Sequence, residues 1–110
     1  MAGMDRPIVT IFRSRLRPEP DGYADELARM VELVHQMPGF VESKQFTADD
    51  GERVTIITFE SAEAQRAWRE HPLHRKAQHR GRNEFYASYR LQVCELVRET
   101  GFESDRPVTP

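Results

Sequence analysis

The sequence predicts an α+β fold, a ferredoxin-like β-α-β-β-α-β chain with both helices on one face of a four-stranded antiparallel sheet. Three observations carry this. Four short runs are β-branched or alternate apolar and polar residues. Two longer stretches repeat apolar residues at helical spacing. Turn formers separate the runs and set their order.

Residues 1–6 read as a loose lead-in, and Ile8 to Leu16 as the first strand, with β-branched residues that favour a pleat. The following RPEPDG cannot continue a strand and reads as a loop. Asp21 is placed to cap the next helix, whose stripe is Tyr23, Leu27, Met30, Val31, Val34 and Met37. Pro38-Gly39 ends it. Phe40 to Ala48 is the second strand, Asp49-Asp50-Gly51 a hairpin turn, and Arg53 to Phe59 the third strand.

Ser61 is a good N-cap for a helix carrying Ala64, Ala67, Trp68 and His71 on one face. Proline disfavours helical geometry in the residue before it but suits the first position of a helix. The chain therefore bends at His71-Pro72 and restarts at Leu73. The bend turns Trp68, His71, His74 and Gln78 towards a common side. Gly81 is a natural stop, with basic residues before it. The fourth strand is Phe85 to Val97, with Phe85, Ala87, Tyr89, Leu91 and Val93 on one face. Tyr86, Ser88, Arg90, Gln92 and Cys94 alternate on the other, a face polar enough to line a cavity. One domain, residues 7–99, is expected, with 100–110 as a tail.

Composition excludes several classes. With 16 basic and 18 acidic side chains the net charge is -2, so no nucleic-acid footprint is expected. The apolar runs are too short for a membrane span. MAGMDRP lacks the apolar core of a signal peptide, and a single Cys forms no internal disulfide, so a cytoplasmic protein is expected. His71, His74 and His79 lack a regular acidic partner and an HExxH pattern, so no metal site is expected. The absence of a Gly-rich phosphate loop argues against a flavin. Two helices cover one face of such a sheet, which makes a homodimer the expected cover for the other. A semi-apolar pocket of Trp, Tyr and His suits a small aromatic ligand.

Pro38-Gly39-Phe40, the Asp50-Gly51 hairpin, the FESAEAQRAW run from Phe59 to Trp68 and the HPLH after it resemble the antibiotic biosynthesis monooxygenase (ABM) family over about Ile8 to Val97. The resemblance implies a dimeric α/β barrel. It also implies a cofactor-independent monooxygenase that oxidises an aromatic, polyphenol or quinol-type molecule with O2. Quinone-forming members carry a proton-transferring side chain six residues after a Trp, which here is His74 after Trp68; the Asn some place one turn before that Trp is Ala64. Haem-degrading members use a first-strand Asn, a Trp and a His about ten residues later. Here Trp68 fits, but Arg13, Ser14 and Arg15 stand where the Asn belongs and Gln78 where the His belongs.

Cofactor-free oxygenation needs a base for a phenol proton and a donor for the anion that results. That logic selects His74 as base with Trp68 beside it, Arg90 or Arg13 as anion stabiliser, and Phe12 and Tyr86 as further aromatic walls. His71 and Gln78 complete the expected substrate contacts. Plainer readings stand beside these. Trp68 is equally a core anchor, His71 a helix-end cap, His74 a surface residue at a helix start, and Arg90 part of a cross-strand ion pair. On those readings the chain is a non-catalytic dimeric ligand-binding or accessory protein.

Overall fold

The computed structural model describes residues 6–105. Strand β1 (Ile8–Leu16) leads into helix α1 (Tyr23–His35), then strands β2 (Phe40–Thr47) and β3 (Arg53–Phe59). Helices α2 (Ala62–Glu70) and α3 (Pro72–Arg80), a π-helical turn (Gly81–Phe85) and strand β4 (Tyr86–Glu95) complete it. The four strands form one antiparallel sheet in the order β2-β3-β1-β4, the expected ferredoxin-like arrangement. Most of the expected lead-in, and the tail from 106, lie outside the described residues. Residues 96–105 form no regular element.

Alternation decides what each strand shows to the helices. On β1, Ile8, Thr10 and Ser14 are buried on the helix side. Their β3 partners in register are Phe59, Ile57 and Arg53. The core is the cluster of Val34, Phe59, Ala64 and Trp68, against which Met30, Leu33, Met37, Phe40 and Ile57 pack. Thr10 is buried without penalty, because its hydroxyl donates to the Ile57 carbonyl at 3.1 Å. The opposite sheet face carries Val9, Ile11, Val54 and Ile56 at its centre.

Several boundaries differ from expectation. Asp21 does not cap α1. Gly22 takes that position at φ 83, a left-handed conformation that glycine adopts without a Cβ penalty. Helix α1 stops at His35, short of Met37. Ser61 does cap α2, accepting from the Ala64 N–H at 3.1 Å. Helix α3 ends at Arg80 with Gly81 as its C-cap, but not through a left-handed turn. Gly81 is right-handed, and the chain continues through it into the π-helical turn. Its lack of a side chain serves close approach instead, because a Cβ there would lie 2.7 Å from Cε2 of Tyr86.

The last strand begins at Tyr86, since Phe85 belongs to the π-helical turn. Arg15 pairs with Ser88 but Leu16 with Tyr86, so Ala87 is an extra, bulged residue. A bulge shifts the alternation by one. Tyr86 thereby moves to the helix side with Tyr89, while Ser88, Arg90, Gln92 and Cys94 face away. The expectation that these last four line the cavity with Tyr86 is corrected by that one residue.

Candidate active site

A cavity of about 170 Å³ lies between the sheet and helices α1 and α3. Its floor includes Phe12, Ser14, Thr55 and Ile57, and its roof Tyr23, Met30, Trp68, His74 and Gln78. Tyr86 and Tyr89 line it from β4. A mostly apolar hollow with a few convergent polar groups is the usual form of a small-molecule site. Its volume suits a single aromatic ring; a cavity of roughly 150 Å³ holds benzene.

One polar group is made by the helix break. In an unbroken helix the Trp68 carbonyl would accept from the N–H four residues on, but that residue is Pro72, which has none. His71 instead turns extended, at ψ 129, and its N–H reaches the Trp68 carbonyl at 3.1 Å. The Nδ1 of His74 meets the same carbonyl at 3.1 Å. The imidazole also stacks on the Trp68 indole, with ring centres 4.1 Å apart and planes 22° apart. A carbonyl only accepts, so Nδ1 carries the proton and Nε2 of the neutral ring is left as an acceptor. Burial is the main force lowering the His74 pKa to about 4. The Trp68 and Arg69 carbonyls oppose that shift, and the charge of His71 adds to it.

A second polar group is set among aromatic rings. Tyr86 stands 5.4 Å from Phe12, 6.0 Å from Tyr23 and 5.9 Å from Tyr89, centre to centre. The Tyr23 and Tyr86 rings meet edge to face, with planes 79° apart. Burial holds the Tyr86 phenol well above its ordinary pKa; the Tyr23 contact adds to this and Arg53 opposes it. The Arg53 guanidinium lies over the Tyr23 ring, 5.5 Å from its centre. With its oxygen turned to Arg53, the Gln45 amide accepts from two guanidinium nitrogens at 2.7 and 3.1 Å.

The candidates named from the sequence divide cleanly. Phe12, Trp68, His74, Gln78 and Tyr86 line the cavity. His71 does not; its Nδ1 accepts from the Leu73 N–H at 3.1 Å and so caps α3. Arg13 and Arg90 are cross-strand partners on the face away from the helices, and neither lines the cavity. Arg13 is engaged by Glu52 at 3.0 Å. His79 is turned to Asn83, 3.1 Å from its amide. No group of three metal-ligating side chains occurs among the described residues.

Sequence reading missed Tyr23, Ser14 and Arg53. Tyr23 was placed on the helix stripe and read as core. Arg53 had a usable signal, since it alternates with Thr55, Ile57 and Phe59 and so shares their helix-facing side. Glu26 also reaches the cavity, with Arg29 at 3.3 Å and Arg80 at 3.5 Å from its carboxylate.

Comparison with known proteins agrees with this architecture. Residues 7–80 match the family described as antibiotic biosynthesis monooxygenase. The chain is similar to YqjZ of Bacillus subtilis, at 31% identity over 100 residues, covering 90% of this chain and 88% of that protein. Its fold is similar to that of Rv0793 from Mycobacterium tuberculosis, with a TM-score of 0.76 and 18% identity, covering 86% of this chain and 99% of the other. It is also similar in fold to SnoaB, a cofactor-independent oxygenase from Streptomyces nogalater. There the TM-score is 0.72 at 18% identity, covering 86% of this chain and 96% of the other.

Proposed function

The chain belongs to the antibiotic biosynthesis monooxygenase family, and from that premise we propose that it oxidises a small phenol or hydroquinone-type aromatic with O2, with His74 as the proton acceptor. The observation that carries the reading is the fixed tautomer of His74. Its Nδ1–H is held on the Trp68 carbonyl, which leaves Nε2 free to take a proton in the cavity.

In this reaction the substrate hydroxyl gives its proton to Nε2. The phenolate, now electron-rich, passes one electron to O2, and the two radicals join to form a C–O bond at an ortho or para carbon that carries hydrogen. The O–O bond then breaks as that carbon loses its hydrogen as a proton, and water leaves. A phenol with a free para position plus O2 gives a para-quinone plus water. The electrons come from the substrate, so the scheme calls on no redox cofactor. Burial disfavours a lone imidazolium but not one formed beside a phenolate, because their attraction is stronger where water is excluded. Trp68, Phe12 and Tyr86 are the walls that hold the ring flat. Gln78 stands where haem-degrading relatives carry an iron-binding His, and an amide is a poor substitute for imidazole. That chemistry is therefore not part of the proposal.

The active form we propose is a cytoplasmic homodimer, two sheets meeting on the Val9, Ile11, Val54 and Ile56 face to make the dimeric barrel. No helix among the described residues is long and apolar enough to cross a membrane. Oxygen uptake with a panel of hydroquinones, naphthols and polyphenols tests the reaction. Saturable uptake with quinone formation is expected. Tight binding without uptake would instead make the protein a non-catalytic ligand-binding member of the fold.

A further inference from the structure

The part of the cavity wall that carries Phe85 and Tyr86 is made by an uncommon turn. Residues Gly81–Phe85 are π-helical, closed by the Tyr86 N–H on the Gly81 carbonyl. Such turns, with bonds between residues five apart, are rare and occur mostly at functional sites. The last carbonyls of a helix have no donor within it. Here one residue supplies three donors. The Arg17 N–H donates to the Phe85 carbonyl at 2.8 Å. Its guanidinium donates to the Tyr86 carbonyl at 2.9 Å and to the Arg82 carbonyl at 3.0 Å. A charged donor makes a stronger hydrogen bond than a neutral one.

Arg17 is exposed and stands just past β1, in the loop before α1. Among the described residues its guanidinium meets no carboxylate; backbone carbonyls are its partners. Its grip falls where the turn meets the bulge. Leu16, the residue before Arg17, pairs with Tyr86, and Ala87 just beyond is the extra residue. The bulge turns the Tyr86 ring to the helix side, where it lines the cavity beside Phe12. His74 and Trp68 are held to each other by contacts in which Arg17 has no part.

Resting on the reading of the cavity as a phenol site, we propose that Arg17 is a positioning residue that sets the size of ring the cavity accepts. It does not touch the ligand. It fixes the π-helical turn and the bulge, and through them the Tyr86 wall. With the clamp in place the wall excludes a second fused ring. Without it the Tyr86 backbone is free to shift, and the cavity widens on its β4 side while the Trp68–His74 stack stays as it is.

The test compares 4-ethylphenol with 2-naphthol, a one-ring and a two-ring phenol. Binding is read from quenching of Trp68, the chain's single tryptophan, which stacks on His74 in the cavity. Arg17→Ala is expected to shift the affinity ratio towards 2-naphthol by about tenfold relative to wild type, the size of a relieved steric misfit. Arg17→Lys keeps the charge but lacks the planar fork, so its shift is expected to be smaller. It decides the question by itself if the alanine variant does not fold. Arg15→Ala is the control. Arg15 also gives two guanidinium bonds, but to Asp50 in the hairpin, so its loss is expected to lower stability and leave the ratio unchanged. Tyr86→Ala opens the wall directly, and Arg17→Ala added to it is expected to change the ratio little further. An unchanged ratio in the Arg17 variants, an equal shift in Arg15→Ala, or full additivity with Tyr86→Ala overturns the inference and leaves the phenol reading standing. Failure of both probes to bind wild type overturns the phenol reading and this inference together.

Discussion

His74 is held by Trp68 twice, once by the ring stacked at 4.1 Å and once by the backbone carbonyl at 3.1 Å. The two residues are six apart. In a continuous helix they would point about 120° apart. The break at Pro72 brings them together and frees the carbonyl that fixes the imidazole.

If His74 is the base, His74→Ala lowers oxygen uptake with an active phenol by about 10²-fold or more. His71→Ala loses a helix cap, which costs about 1 kcal/mol of stability, and keeps most of the turnover. Steady-state uptake and urea denaturation of both variants check this. Loss confined to His71→Ala would transfer the role to His71.

The pKa of His74 predicts a pH slope in stability. Above pH 6.5 the ring is neutral in both the folded and unfolded chains, so it contributes no slope. Between 6.5 and about 4 the unfolded chain takes up a proton that the folded one refuses. Stability therefore falls as pH drops through that window, by roughly 3 kcal/mol in total. Denaturation midpoints of wild type and His74→Gln, followed from pH 7 to pH 4, are expected to converge as the pH falls. Parallel curves would show that His74 titrates normally.

Gly81→Ala tests the close packing behind Tyr86. The added methyl would stand 2.7 Å from the Tyr86 ring and drive it towards the cavity. The backbone at Gly81 is right-handed, so the substitution carries no strain in φ. Binding of 4-ethylphenol is expected to weaken about tenfold while stability changes by about 1 kcal/mol or less. Unchanged affinity would mean that the ring yields outwards.

For the dimer, Ile56→Lys is the informative change. Ile56 pairs with Ile11 at the centre of the sheet face away from the helices. A charge buried there between two copies is strongly unfavourable, so sedimentation at micromolar concentration is expected to show wild-type dimer and mutant monomer. A wild-type monomer would refute the proposed assembly.

Gly39 joins the end of α1 to β2 at φ 82, and a Cβ there would stand 2.5 Å from that of Ala64. Gly39→Ala is expected to destabilise by about 1–3 kcal/mol, from both the left-handed backbone and the clash. Thermal unfolding measures it. A neutral result would mean that α2 can move away from the turn.

The order of elements, the Ser61 cap, the break at His71-Pro72 and the ferredoxin-like sheet were legible because each rests on local chemistry. A hydroxyl at a helix start, a proline without an N–H and a β-branched run act through neighbours in sequence. The same logic brought Trp68 and His74 to one side. Helix ends were less legible. Gly22 displaced Asp21 as cap, and Gly81, which does follow the last residue of α3, is right-handed and lets Tyr86 approach.

Which charges face the cavity was decided by the tertiary structure. Strict alternation put Tyr86 with Arg90, but a single extra residue at Ala87 moved Tyr86 to the helix side and left Arg90 outside. A bulge has no sharp sequence signature here; it exists only when β4 pairs with β1. The Tyr23–Tyr86 contact and the Arg53 guanidinium beneath it likewise join α1, β3 and β4, elements far apart in the chain. The sequence by itself determined the strands, the helices and the His74–Trp68 pair, because those depend on residues within a turn or two. Only packing decided which side of the sheet Tyr86 and Arg90 take, because that depends on how the bulged strand meets its neighbour.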